Sequence, residues 1–425
     1  MRTLPIKLLR WGIAIEGRFG DVDGKRTEQL IYLCREFVRI PSPSGNEERM
    51  ARSVKASARV LGYDQVDVDH YGNVLMRMRF SGEGPRLLFH AQMDHVPPGD
   101  STQWSFYPYG AVVSRKRIYG SGTMDQKGNL AAMMLAGAFL KEDFQRQDLR
   151  GELVVAAAVQ QECFDVLAAR SIASETRPDA VVLGDASNLE VVRGQPGRAK
   201  IALQTEGRMA HALSPAYGVN AAEKMLEVLE VIRKKYVPPR DVFVGEGALS
   251  LTEMSTSPDS QEKVIPTRCS ATLVKRMVVG EGRDDCLEQI EGILAPLRKK
   301  DATLNLSVSL ATTEGRCYTG VVLASEQFVP SWVLPVDHSF LSGVREWLRL
   351  GGLEGSLSSG PGFGTSGALY GGERRIPTLI FGAGRPELAH RVDEYIDIEQ
   401  MRQACAGYRS IASGFLSASG WTGAV

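Results

Sequence analysis

Apolar residues recur at helical spacing through residues 27–40, at Leu30, Ile31, Leu33, Phe37 and Val38. The turn Pro41-Ser42-Pro43-Ser44-Gly45 stops that run, and a second helix is predicted to continue through Val60. Residues 73–80 alternate apolar and basic positions, the pattern of an edge or half-buried strand. Short apolar runs follow at residues 86–91, 153–159, 180–183 and 378–381, with an apolar helix over residues 129–141 between the first two. Strands alternating with helices predict a mostly parallel sheet sandwiched by helices, an α/β architecture.

The middle of the chain has a different rhythm. Residues 198–205 read as a strand. Residues 220–235 form an amphipathic pattern with Asn220 as N-cap and Glu223 three positions on. Strands are predicted near residues 262–268, 269–277 and 304–310, with a helix over residues 284–298 before the last. This β-α-β-β-α-β order describes an inserted α+β unit of ferredoxin-like type, placed at residues 198–317. The larger domain then comprises residues 1–197 and 318–425, in keeping with a chain too long for one ordinary core.

Composition narrows the function classes. Fifty basic and fifty acidic side chains cancel, which argues against a nucleic-acid partner. No apolar stretch is long enough to span a membrane, and residues 1–20 lack the pattern of a secretory signal. The six cysteines are dispersed without a C-x-x-C pair, which points to reduced thiols and a cytoplasmic setting.

Ligands of open α/β sheets bind beyond the carboxyl ends of the strands. Three predicted strands end there in acids: Gln92-Met93-Asp94, Gln161-Glu162 and Gly184-Asp185. Asp125 precedes a helix in the loop Gly120-Ser121-Gly122-Thr123-Met124-Asp125, and His390 follows the last strand. Carboxylates gathered in one crevice repel, so their pKa values rise or a cation neutralises them. With a histidine present, a divalent metal is the simpler solution.

These stretches, together with Asp94-His95-Val96-Pro97, the GSGTMDQKG run at residues 120–128, and Ala389-His390 with Glu394-Tyr395, resemble the ordered signatures of a co-catalytic zinc metallopeptidase family. That family includes aminoacylase, acetylornithine deacetylase, succinyl-diaminopimelate desuccinylase and carboxypeptidase G. The resemblance runs from about residue 27 to about residue 416 and includes Ala210-His211 with Pro215 in the inserted unit. It implies a hydrolase-like catalytic domain and a dimerisation or lid domain. It further implies Asp125 as a bridge between two ions, Glu162 and His390 on one, and Asp185 on the other. The histidine that should complete the second ion is Gln92, and the general-base glutamate is Gln161. Asp94 and Gln161 are carried over as catalytic positions, with His211 as an oxyanion-binding residue reaching a partner subunit's site. Arg276, Thr365, Ser366 and Gly367 are implied near a substrate carboxylate, although Lys275 replaces the usual aspartate before Arg276.

An amide can neither take nor return a proton, and losing a general base typically removes ~10²–10⁴ of rate. A glutamine carbonyl is also a poor zinc ligand. The sequence therefore predicts zinc or another divalent metal at one tight site, with Gln92 making the second weak or empty. His90, further back on the strand, reads as a buried hydrogen-bonded histidine, and Cys163 as a small buried side chain rather than a nucleophile. His70 and His338 read as structural. The G-x-G-x-x-G match at residues 362–367 lacks a preceding strand and a βαβ unit, so a dinucleotide site is rejected. Three readings remain. The first is a metal-dependent amidohydrolase of N-acyl amino acids or small peptides, working as a homodimer. The second is a repurposed amide-forming, transferring or rearranging enzyme, and the third a non-catalytic binder of a small carboxylate or a protein.

Overall fold

The computed structural model describes residues 24–144, 148–164, 166–258, 263–358, 360 and 364–417. The signal-peptide expectation for residues 1–20, and residues 361–363 of the glycine-rich loop, lie outside them.

A six-stranded sheet forms the larger body, in the order Gln65–Val68, Val74–Arg79, Arg150–Ala158, Ser81–Gln92, Ala180–Leu183 and Thr378–Ile380. Only Val74–Arg79 runs against the others. The expected mostly parallel α/β sheet is thus present. All residues from Leu153 to Ala158 are buried, so helices or loops cover both faces of this strand. Helix Gly128–Asp143 is apolar all round and buried from Gly128 to Leu140, as a helix enclosed on every side must be. It packs against the C-terminal helix Ile398–Leu416.

Register sets the site. Gln92 stands beside Ala158, and His90 beside both Ala156 and Leu183. Three parallel strands therefore finish at one level. The residues following them, Asp94, Gln161 with Glu162, and Asp185, emerge along one edge.

The second body has the predicted β-α-β-β-α-β order. Strands Gly197–Glu206, Ala248–Ser257, Arg268–Met277 and Asn305–Leu310 form an antiparallel sheet in which Gly197–Glu206 lies between the last two. Helices Ala221–Lys235 and Arg283–Lys300 supply Met225, Val228, Ile232, Cys286, Ile290 and Leu294 to a core separate from that of the large sheet. Strand Phe328–Val329 also pairs with Gly197–Glu206, so chain beyond residue 317 returns to this sheet.

Two strand expectations are corrected. Residues 73–80 do not form an edge: Gln65–Val68 lies outside them, and Val74, Leu75, Met76 and Met78 are buried. That outer strand is only four residues long, too short for its alternation to register. The strand expected near residues 262–268 lies earlier, at Ala248–Ser257. Glu262 lies outside the described residues, and Val264 makes only an isolated bridge to His211. Ala248–Ser257 is an exposed edge rich in Ser and Thr, so it lacks the sustained apolar alternation that marks a half-buried strand.

Asn220 caps its helix as predicted, its side-chain oxygen accepting from the Ala222 and Glu223 amides at 3.0 and 3.4 Å. Asn220→Ala should lower the stability of the second body by about 1 kcal/mol in urea unfolding, leaving the large sheet's amide-exchange protection unchanged.

Candidate metal centre

The turn Gly120-Ser121-Gly122-Thr123 turns the chain into the buried helix that begins at Gly128. Gly122 has φ 73°, and a Cβ there would come within 2.8 Å of the His95 Cβ, so the position requires glycine. Glu394 accepts from the backbone amides of Gly122, Met124 and Asp125 at 3.1, 2.8 and 3.3 Å. One buried carboxylate thus fixes the loop that presents Asp125. Burial pushes the Glu394 pKa up to about 7.

Asp94 does the same for the neighbouring element. It is fully buried and accepts from the Gln161 and Glu162 amides at 3.1 and 3.0 Å and from the Ser44 hydroxyl at 2.8 Å. The short helix Gln161–Phe164 therefore hangs from Asp94 by its first two N–H groups. Burial raises the Asp94 pKa to about 6. Asp94, expected as a catalytic residue, accepts from these three donors and thereby holds the start of this helix in place.

Asp125, Glu162 and His390 converge: one ligand atom from each lies within 4.8 Å of the others. His390 Nε2 is 3.1 Å from an Asp125 oxygen and 3.4 Å from a Glu162 oxygen. Hydrogen bonds to these two acids lift the His390 pKa to about 10, and burial lifts Glu162 to about 7. Two carboxylates and one imidazole around a common point suit a divalent cation such as zinc or manganese. A cavity of about 190 Å³ opens beside them, lined by His95, Trp104, Ser121, Asp125, His390 and Glu394 among others.

The second expected ion position is arranged differently. Gln126 Nε2 donates to Asp185 and also lies 3.4 Å from the Gln92 side-chain oxygen. Gln92 Nε2 donates to Glu162 at 2.7 Å, and its backbone amide donates to Gln126 Oε1 at 3.3 Å. Two primary amides thus link Asp185 and Glu162 through their N–H groups. Asp185 is not part of the converging trio, and the Gln92 side chain meets Gln126 and Glu162. Burial raises the Asp185 pKa well above the usual carboxylate range, with Asp125 and Glu162 adding to it.

Gln161 is 7% exposed. Its side-chain oxygen accepts from the Ser366 hydroxyl, while its Nε2 is buried without a partner. Ser366 also meets His90 Nε2 at 2.9 Å, and His90 Nδ1 meets the Tyr370 hydroxyl at 3.0 Å. His90 is the buried, hydrogen-bonded histidine expected, and burial lowers its pKa to about 4. Thr365 is held by Gln195, donating through its hydroxyl at 2.6 Å and its amide at 3.1 Å. Gly367 packs on Trp332, whose ring a Cβ would meet at 2.6 Å.

Other expected residues lie elsewhere. His211 sits on an exposed loop, its Nδ1 accepting from the Leu213 amide at 3.1 Å, and among the described residues no contact joins it to the trio. Arg276 is exposed and donates to the Val244 carbonyl at 2.8 Å. Cys163 is exposed, not buried, because its short helix turns Gln161 and Phe164 inward instead. His338 caps helix Ser339–Leu350, accepting from the Phe340 amide at 3.1 Å. Three important side chains went unremarked in the sequence: Gln126, adjacent to Asp125; Gln195; and Glu47, buried while accepting from the Gly45 and Gln160 amides at 3.0 and 3.1 Å. Gln126 carried no periodic signal, since it sits in a turn with non-helical backbone angles.

Residues 88–413 match the peptidase family M20/M25/M40. The uncharacterized protein YgeY of Escherichia coli (strain K12) is 30% identical over 397 residues, covering 91% of this chain and 94% of its own length. The acetylornithine deacetylase of Vibrio vulnificus is 27% identical over 352 residues, 79% of this chain and 83% of that enzyme. YXEP of Bacillus subtilis, a dinuclear metal-binding peptidase from the M20 family, shares the fold with a TM-score of 0.66 at 16% identity, over 93% of this chain and 99% of its own.

The buried acids make the metal-free chain pH-sensitive. Glu47, Glu162 and Glu394 rise from 4.5 to about 7. Each is protonated in the folded chain over a range where the unfolded chain has already lost its proton. Stability must then fall as pH rises through that window. The melting temperature of metal-free protein should drop between pH 5 and pH 7.5, and saturating zinc should shrink the drop. A flat profile would remove the carboxylate crowding described here.

Proposed function

The chain belongs to the peptidase family M20/M25/M40, and from that premise we propose a metal-dependent amidohydrolase that releases the acyl group from an N-acyl amino acid or small peptide, built around a single tightly held ion. The convergence of Asp125, Glu162 and His390 carries this reading. The chemistry a divalent ion supplies there is Lewis-acid polarisation of an acyl oxygen. Asp94 and Glu394 hold the elements that present the ligands, and the adjoining cavity has room for a small substrate. The likeness to an acetylornithine deacetylase supports an acyl-amino-acid substrate with a free carboxylate.

The second ion position favours amides over metal. Gln126 and Gln92 already satisfy Asp185 and one oxygen of Glu162. Zinc is the ion the histidine and carboxylate donors favour first.

Gln161 in place of a carboxylate favours a second reading, a repurposed enzyme that forms, transfers or rearranges an amide. Without a proton acceptor, water is poorly activated and an acyl species survives longer. The two readings part on turnover.

His211 supports a homodimer. Met209, Leu213 and Tyr217 around it are exposed apolar side chains, Leu213 at 88%, and the edge strand Ala248–Ser257 is unpaired on its outer side. A second copy covering this surface would bring His211 to the neighbouring site. No helix among the described residues is long and apolar enough to cross a membrane, and all six cysteines are free, which supports a cytoplasmic setting.

Metal content measured by plasma mass spectrometry should be one ion per chain. His390→Ala should lose it, and the double variant Gln92→His with Gln126→Met should approach two. Two ions at full occupancy in the parent would sink the single-ion centre. Against a panel of N-acetyl amino acids, Gln161→Glu should raise zinc-dependent hydrolysis by ~10²–10⁴. A parent that already turns over as fast as this variant rejects the assigned loss of a base, whereas new products from acyl donors and amines favour the second reading. Light scattering should give the mass of a dimer, and a monomer would end the proposed role of His211.

A further inference from the structure

The buried chain Tyr370, His90, Ser366 and Gln161 has a direction. The Ser366 hydroxyl donates to Gln161 Oε1, so it must accept from His90 Nε2–H. His90 Nδ1 then carries no proton and accepts from the Tyr370 hydroxyl at 3.0 Å. In this arrangement every donor of the four side chains is used except the two N–H groups of the Gln161 amide, whose nitrogen is buried without a partner among the described residues.

The opposite direction is chemically possible but leaves more undone. Gln161 would flip and donate to Ser366, Ser366 to His90 Nε2, and His90 Nδ1–H to Tyr370. The Tyr370 hydroxyl proton would then need an acceptor, and among the described residues Tyr370 has only His90. Tyr370 is fully buried, so that proton would be orphaned away from water. A charged His90, which could donate both ways, is disfavoured because burial holds its pKa near 4. This direction leaves the two unmet N–H groups on Gln161, which neighbours Glu162 of the converging trio.

We propose that Gln161 is a hydrogen-bond donor to an acceptor oxygen of the bound ligand, a carboxylate or an acyl oxygen, and that Tyr370, His90 and Ser366 are positioning residues that fix which end of its amide faces that oxygen. This deepens the amidohydrolase reading by naming the chemistry that meets the substrate where a base is lacking. A primary amide offers N–H and repels no anion, whereas a glutamate in the same place would repel a carboxylate oxygen. The orientation of Gln161 is set by a tyrosine that the ligand need not touch.

The test uses metal-free full-length protein and acetate as the probe, so it stands whether or not a metal or hydrolysis is found. Ring-nitrogen NMR on histidine-labelled protein, with His90 assigned through His90→Gln, should show His90 protonated on Nε2 and bare on Nδ1. Acetate should shift the side-chain amide signals that vanish in Gln161→Glu. Gln161→Leu should weaken acetate binding about tenfold, the loss of one hydrogen bond to a charged group. Tyr370→Phe should introduce the second His90 tautomer and weaken acetate binding, while leaving the metal content of separately zinc-loaded protein unchanged. A His90 proton on Nδ1 in the parent, or acetate affinity indifferent to Gln161→Leu, overturns the proposal. The parent tautomer measurement decides the matter even if a variant fails to fold.

Discussion

Everything at this site follows from crowding acids at the end of a parallel sheet. Asp94, Asp125, Glu162, Asp185 and Glu394 gather near the ends of three parallel strands, and burial raises the pKa of Asp94, Glu162, Asp185 and Glu394. The fold compensates these acids in a few distinct ways. Backbone N–H groups meet Asp94 and Glu394, and those same bonds lock the loops bearing Gln161, Glu162 and Asp125. Two glutamine amides meet Asp185 and one side of Glu162. Among the described residues, Asp125, Glu162 and His390 bring their ligand atoms together at a point that suits a cation. Structural carboxylates and ligand carboxylates are thus distinguished by what already touches them.

Much of this was legible in the sequence because it depends on periodicity and order. The parallel strands, the capped helix after Asn220 and the β-α-β-β-α-β unit all announce themselves by apolar spacing. The grouping of Asp125, Glu162 and His390 was implied by the family resemblance, and the three do converge. What escaped were features without a period. The outer strand Gln65–Val68 is too short, and Ala248–Ser257 is too exposed, for alternation to mark it. The Gln126 bond to Asp185 depends on side-chain direction at a turn, which sequence spacing does not encode. Cys163 was misjudged because a four-residue helix buries its first and last positions and leaves the third outside.

The difference between Asp94 as an expected catalytic residue and Asp94 as an anchor is instructive. Its position follows the strand end, and three donors already meet its oxygens before any ligand arrives. Position alone assigns a residue to a site. The count of free lone pairs assigns its task.

Helix Gly128–Asp143 is enclosed on every side, so the loop in front of it cannot shift without disturbing the core. A site on such a foundation diverges by exchanging side chains rather than by moving backbone. Glutamine and histidine codons differ at one base, as do glutamine and glutamate codons, and in size the amide and the acid are nearly equal. Positions 92 and 161 each therefore stand one base change from a histidine and from a glutamate, and the fixed backbone around them would accept either exchange.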